Sequence, residues 1–187
     1  MDVTTTDIPG VVILEPRVFG DARGGLWEAY RHERFEAAGL TNGFVQDNVS
    51  LSRQGVVRGL HYQLEHPQGK LVSVVQGRIY DVAVDIRRGS PTFGRWVSTI
   101  LSAEKPRQIL IPEGFAHGFC TLSTQATVIY KCTRPYRPGD QCGIAFDDPS
   151  LGIDWPVESP ILSDRDKTWE PLHEHREDLP SYHPASS

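Results

Sequence analysis

The amino-acid sequence predicts an all-β domain closed as a jelly-roll barrel, with one or two short helices. Short runs rich in β-branched and aromatic residues recur from Phe44 onward, glycines, prolines and aspartates punctuate them, and only Arg31 to Ala38 has helical character. A chain of many short strands must bury one sheet face against another, and closure removes the exposed edges. At 187 residues, 39% hydrophobic and 23% charged, it is long enough for one domain with its own core.

Taken in order, Asp7 to Phe19 breaks its apolar runs with Pro9, Gly10 and Pro16, which predicts an edge strand followed by a turn. Gly20 to Gly25 reads as a loop and Leu26 to Tyr30 as strand. The helix at Arg31 to Ala38 puts Phe35 and Ala38 on one side, with Gly39 as its C-terminal cap. Further strands are expected over Phe44 to Leu51, Val56 to Gln63, Lys70 to Gln76, Gly77 to Arg87, Arg95 to Leu101, Gln108 to Ile111, Gly118 to Ser123, Thr127 to Cys132 and Gly143 to Ala145. The domain is drawn over residues 1–171. Residues 172–187 are polar, carry two prolines, and are expected to form a poorly ordered tail.

A formal charge of −5 argues against nucleic acid as a partner, because such binding needs a basic face that displaces phosphate counterions. A small anionic ligand needs only local arginines, and Arg23, Arg53 and Arg58 occur in the half of the chain that holds His61. Cys120, Cys132 and Cys142 are odd in number and have no CxxC spacing, so neither a disulfide framework nor a thiolate zinc site is indicated. The default is a reduced, cytoplasmic protein. No apolar run approaches a membrane span, and the N-terminus lacks a basic region followed by an apolar core.

The chemistry concentrates in Gly55 to Gly77. Glu65 to Gly69 is turn chemistry between two apolar runs, which places His61 and Lys70 near the two ends of a hairpin. A histidine can act as a base near neutral pH, and a lysine can stabilise an oxyanion left by a departing proton. Alternation puts His61 and Gln63 on one strand face, Asp81, Ala83 and Asp85 on another, and Val128, Tyr130 and Cys132 on a third. His61, Asp81, His117 and Tyr130 could together line a barrel cavity, although each alone also reads as a structural residue with an ordinary hydrogen-bond partner.

Pro112 to His117 has the PxGxxH spacing of the second cupin motif, in which a proline and glycine shape a turn and the histidine enters the barrel. Metal-binding cupins supply HxH from their first motif, whereas this chain has His61-Tyr62-Gln63, too few ligands for a catalytic metal. Arg58 lies three residues before His61 and faces away from the cavity in a regular strand, unless Gly59 marks a bulge. Read locally, Arg23 is a surface loop arginine, Gln46-Asp47-Asn48 a polar strand edge, and Asp164 and Asp166 part of a solvated loop.

From about Pro9 to about Pro171 the chain resembles the dTDP-4-dehydrorhamnose 3,5-epimerase family. The resemblance rests on GDARG, FVQDN, GVVRGLHYQ, QGKLV, GRIYDVAVDIRRGSPTFGRW, LSAEKPRQILIPEGFAHGF, VIYKC, DDPSLGIDWP and LSDRD. It implies a cupin barrel that inverts C3 and C5 of dTDP-4-dehydro-6-deoxy-D-glucose, giving dTDP-4-dehydro-L-rhamnose without cofactor or metal. It also implies that His61 is the base, Asp166 its partner and Tyr130 the opposing acid. Lys70 and His117 would sit by the C4 oxygen and the sugar ring, with Asp81 as a supporting carboxylate. Arg23, Gln46, Asn48 and Arg58 would hold the nucleotide diphosphate and base, and Tyr136 would close the nucleotide pocket. The family further implies a homodimer with exchanged N-terminal strands. The chain departs from the pattern after Arg23-Gly24, where many members place two aromatic residues and this one has Gly25-Leu26-Trp27. A single-centre 3- or 5-epimerase, or a non-catalytic cupin that binds sugar, is the alternative.

Overall fold

The computed structural model describes residues 1–40 and 43–184. Its strands are β1 (Asp2–Thr5), β2 (Val12–Glu15), β3 (Val18–Asp21), β4 (Gly24–Trp27), β5 (Gln46–Arg53), β6 (Val57–Gln63), β7 (Lys70–Gln76), β8 (Arg78–Asp85), β9 (Trp96–Ser102), β10 (Gln108–Ile111), β11 (Phe115–Thr121), β12 (Gln125–Cys132) and β13 (Gln141–Gly143). They form a six-stranded sheet in the order β1-β2-β10-β7-β12-β5, a five-stranded sheet β13-β6-β11-β8-β9, and a β3-β4 hairpin. All neighbouring strands run antiparallel. The all-β expectation holds, and the one short helix, α1 (His32–Ala37), sits where the sequence placed it. Gly39 follows it at φ +66, a conformation side chains disfavour, and its N–H closes onto the Glu36 carbonyl at 2.9 Å. Phe35 is buried there, but Ala38 is exposed.

The barrel interior is the apolar cluster of Val72, Val74, Ile79, Ala83, Ile109, Phe115, Phe119 and Val128, drawn from both sheets. Burial alternates along β5, with Gln46, Asn48, Ser50 and Ser52 turned inward and Asp47, Val49, Leu51 and Arg53 exposed. Strands β8 and β11 are buried on both faces, since a second cluster containing Leu60, Tyr62, Val84, Ile144, Leu172 and Leu179 covers the outer face of the five-stranded sheet.

Three expectations are revised. First, Val56 to Gln76 is not a hairpin: β6 pairs with β11 and β13, while β7 pairs with β10 and β12. The turn at Glu65 to Gly69 crosses between the sheets, so His61 and Lys70 meet across the barrel. Second, the N-terminal segment holds β1 and β2 as a ladder, and the expected loop at Gly20 to Gly25 is the tip of the β3-β4 hairpin. Third, the stretch expected to be a poorly ordered tail packs on the domain through 184. Leu172 and Leu179 are buried, and Arg88 donates its backbone N–H to the Pro180 carbonyl at 2.8 Å while its carbonyl accepts the Tyr182 N–H at 2.9 Å. Two leucines bury enough apolar area to tie down a segment that average composition marks as polar. Residues 185–187 of that expectation lie outside the described residues.

Candidate active site

A cleft of about 340 Å³ opens between the two sheets. The five-stranded sheet contributes Arg58, His61 and Gln63 from β6 with His117 and Phe119 from β11; the six-stranded sheet contributes Gln46, Asn48 and Ser50 from β5, Lys70 from β7 and Tyr130 from β12. Register explains the grouping. His61 lies opposite His117 in the β6–β11 ladder, and Tyr130 lies opposite Asn48 in the β12–β5 ladder.

Arg58 reaches the same cleft as His61 because β6 bulges. His117 pairs with His61 and Phe119 with Arg58, so two steps on β11 oppose three on β6. Gly59 permits this at φ +122, where a Cβ would come within 2.5 Å of Gly118 Cα. The bulge left open by strand geometry is therefore present.

On this wall both histidines are paired with carboxylates. His61 Nε2 lies 2.6 Å from Asp166 Oδ1, and His117 Nε2 lies 2.9 Å from Asp81 Oδ2. Asp166 opens a single 3-10 turn (Asp166–Thr168) and is itself buried, far from the solvated loop that its local sequence suggests. Burial alone would raise its pKa, but hydrogen bonds from His61, Trp169 Nε1 and Ser163 Oγ outweigh that and hold it below the ordinary carboxylate range. Trp169 was not foreseen as a site residue. It follows Asp166 by three residues, its indole donates to Asp166 Oδ1 at 3.2 Å, and its ring meets His61 edge-on at 6.3 Å. The signal was present only as a spacing that one helical turn brings together.

The opposite wall is less committed. Among the described residues, the Tyr130 hydroxyl makes no hydrogen bond, and burial pushes its pKa above the ordinary phenol value. Lys70 is buried, with Nζ 3.5 Å from the His61 carbonyl oxygen. Burial pulls its ammonium below the ordinary lysine value, opposed by the nearby Cys132 and Asp81. Asp81 Oδ1 is buried and unpaired among the described residues, and the charge of this carboxylate favours the protonated form of Lys70.

One end of the cleft is polar and neutral. Gln46 Nε2 donates to Asn48 Oδ1 at 3.0 Å, Gln46 Oε1 accepts the Tyr136 N–H at 2.8 Å, and the Tyr136 hydroxyl donates to Gln141 Oε1 at 2.7 Å. Arg58 reaches Ser52 Oγ at 3.0 Å from β6. Gln63, at the second-histidine position of the cupin motif, is spent on loops: its Nε2 donates to the His66 carbonyl at 2.7 Å and its Oε1 accepts the Arg137 N–H at 2.8 Å. Arg23 is the predicted site residue that is not brought in. It lies on the β3-β4 hairpin, its side chain 90% exposed and, among the described residues, paired only with Asp21 of the same hairpin.

The sequence model of dTDP-4-dehydrorhamnose 3,5-epimerase matches residues 5–174. The chain belongs to that family. It is 55% identical over 168 residues to the dTDP-4-dehydrorhamnose 3,5-epimerase of Shigella flexneri, covering 89% of this chain and 93% of that one. It superimposes with TM-score 0.95 and 49% identity on a dTDP-6-deoxy-D-glucose-3,5-epimerase from Legionella pneumophila bound to dTDP-4-keto-L-rhamnose, covering 98% and 99% of the two chains. A 3'-monoepimerase from Streptomyces bikiniensis in complex with dTDP-quinovose is also similar, at TM-score 0.88 and 38% identity, covering 95% and 92%. The cupin barrel expected from the PxGxxH spacing is thus the family's fold. Gly114 of that motif sits at φ +86 with Arg87 carbons 2.8 Å from where a Cβ would be, so only glycine fits the turn that delivers His117.

Proposed function

We propose that this protein inverts C3 and C5 of dTDP-4-dehydro-6-deoxy-D-glucose, giving dTDP-4-dehydro-L-rhamnose. The observation that carries the reading is the opposition of a carboxylate-paired histidine on one wall to a half-buried tyrosine on the other whose hydroxyl has no hydrogen-bond partner among the described residues, with a lysine lining the same cleft. The C4 carbonyl acidifies the hydrogens on both neighbouring carbons. His61 takes one of them through Nδ1, the ring nitrogen that Asp166 leaves free, Lys70 and His117 stabilise the enolate oxygen, and the Tyr130 hydroxyl returns a proton to the other ring face. Asp166 orients His61 and stabilises its protonated form; Asp81 does the same for His117 and helps keep Lys70 charged. The carbonyl is the electron sink, so the steps balance without an added cofactor or metal.

Arg58, Gln46, Asn48 and Tyr136 hold the nucleotide at the polar end of the cleft. We place Arg23 with them by dimerisation: the β3-β4 hairpin exposes Val18, Phe19 and Leu26, and exchange of N-terminal strands between two copies covers these apolar groups while bringing Arg23 to a cleft. The free cysteines fit the cytoplasm as its compartment. Among the described residues, no helix is long and apolar enough to cross a membrane.

The test is incubation with the 4-keto sugar nucleotide in heavy water, read by NMR of the sugar protons. Deuterium at C3 and C5 with both centres inverted is the expected result. Inversion at one carbon alone would make this a monoepimerase like the Streptomyces relative, and no exchange would make it a binding protein.

A further inference from the structure

The strap at residues 172–184 contains an arginine that is buried where its own local sequence is exposed. Arg176 is 9% exposed, and its guanidinium is used almost completely. Nε and Nη2 grip both oxygens of Asp178 at 2.8 and 2.6 Å. Nη1 donates to the carbonyls of Glu170 and Pro171 at 3.0 and 3.3 Å, and Nη2 donates to the Gly143 carbonyl at 3.1 Å. The Tyr62 hydroxyl completes the arrangement by donating to Asp178 Oδ2 at 3.1 Å.

These acceptors are the two ends of one short path. Gly143 on β13 is the register partner of His61 on β6, and Tyr62 is the next residue of that strand. Glu170 and Pro171 close the segment that begins at Asp166 and carries Trp169. The segment lies flat on β13 because Gly143 has no side chain: a Cβ there would stand 2.5 Å from the Trp169 ring. The Ala145 N–H, just past β13, donates to the same Glu170 carbonyl at 3.0 Å, and the segment's two flanks are tied by Arg165 Nη2 to the Gln141 carbonyl at 2.8 Å and by the Leu172 N–H to Asp148 Oδ2 at 2.6 Å.

We propose that Arg176 is a positioning residue for the His61–Asp166 pair, clamping the Asp166–Pro171 segment to the strands that carry His61. This rests on reading that pair as the catalytic base. A planar fork suits the task, because one guanidinium can bind a carboxylate bidentately and still present donors to three carbonyls at fixed angles; a lysine cannot. Without the clamp the segment keeps the bonds at Ala145, Gln141 and Asp148 but loses the link that joins it through Gly143 and Asp178 to Tyr62 beside His61, and the 2.6 Å contact between His61 and Asp166 loosens.

The test compares Arg176→Gln and the milder Asp178→Asn with Asp166→Asn and with Asp85→Asn, a control that disrupts a buried carboxylate bound to Arg87, Ser90 and Thr92 away from the cleft. Each is assayed for kcat, KM and thermal midpoint, and by NMR for the downfield imidazole proton that a short histidine–carboxylate bond produces. Arg176→Gln is expected to lower kcat about tenfold with KM little changed, and Asp178→Asn about threefold, since small misplacements of a catalytic group are costly. Both should broaden or shift the imidazole proton, whereas Asp85→Asn lowers the midpoint and leaves kcat and that proton alone. If Asp166→Asn is fully active, the reading of the base is wrong. If Asp166→Asn is impaired but Arg176→Gln and Asp178→Asn keep kcat and the imidazole signal, the clamp is refuted. Should Arg176→Gln fail to fold, Asp178→Asn alone decides by the same two readouts.

Discussion

On the wall built by β6 and β11, His61 and His117 each stand paired with a buried carboxylate, while on the facing wall the Tyr130 hydroxyl has no partner among the described residues and Lys70 has only a long contact to a carbonyl. The difference follows from what each wall must do. A base is improved by a carboxylate that orients its ring and stabilises the charge it acquires. An acid must keep its proton until the enolate is present, so a prior hydrogen bond to a strong acceptor would divert it. On the proposed mechanism, the wall that abstracts is completed in the resting protein and the wall that delivers is completed by the substrate.

The sharpest way to break this comparison is at its two centres. His61→Ala should abolish deuterium exchange at both carbons, a loss on the order of ten-thousandfold, because every turnover begins at that nitrogen. Residual exchange near the native rate would move the base elsewhere. Tyr130→Phe keeps the ring's packing and removes the deliverable proton, so exchange should survive while inversion falls roughly a hundredfold at the carbon it serves. The enolate is then reprotonated by His61 on the face it left. Normal inversion in this variant would remove Tyr130 from the mechanism.

The two walls were not equally legible from sequence. Alternation in strands placed His61, Asp81 and Tyr130 inward, and the PxGxxH turn placed His117, because those rules are local. The partner carboxylate Asp166 lies 105 residues from His61 and reads locally as a solvated loop; only the family resemblance assigned it. Lys70 was placed by its own strand but assigned to a hairpin with His61, since a turn signal does not say whether the next strand returns to the same sheet. Trp169 meets Asp166 through a local three-residue spacing that carried no meaning until Asp166 was placed at the site, while the Arg176 partners are set by a crossing of the strap over β13, which no short-range period encodes.

The pH dependence sharpens the comparison further. Burial lowers the Lys70 pKa and raises that of Tyr130, shifts that favour loss of the lysine proton ahead of the phenol's as pH rises. The alkaline fall in exchange rate should therefore begin below the ordinary lysine value of about 10.4 and persist in Tyr130→Phe. Lys70→Arg, which cannot deprotonate in this range, should push that limb upward. Disappearance of the limb in Tyr130→Phe would assign it to the phenol.

Arg58 tests whether the wall's polar end acts separately from its chemistry. It is held by Ser52 and the Leu51 carbonyl on β5, and the proposed function has it bind the diphosphate. A contact remote from the reacting carbons contributes equally to ground and transition states, so Arg58→Ala should raise KM by about tenfold with kcat nearly unchanged. A kcat loss as large as that of His61→Ala would place Arg58 in the chemistry instead.

The smallest expected effect is none, on exhaustive chelation, and it tests whether the paired histidines are a base and an orienting group or the remains of a metal centre. His61 and His117 face each other across one register pair, the position from which a metal cupin builds its site. A third ligand from β6 would have to be Gln63, and both ends of that amide are engaged by the loops at His66 and Arg137. No cluster of three or more His, Cys, Asp or Glu suited to a metal occurs among the described residues. Each imidazole also has its Nε2 engaged by a carboxylate, which leaves one ring nitrogen apiece for any ion. Two neutral nitrogens without a third donor hold a divalent ion weakly, so dialysis against EDTA should leave kcat and KM as they were. Loss of turnover restored by one divalent ion would show that the carboxylates give way to a metal, and the division between a finished abstracting wall and an open delivering wall would have to be redrawn around it.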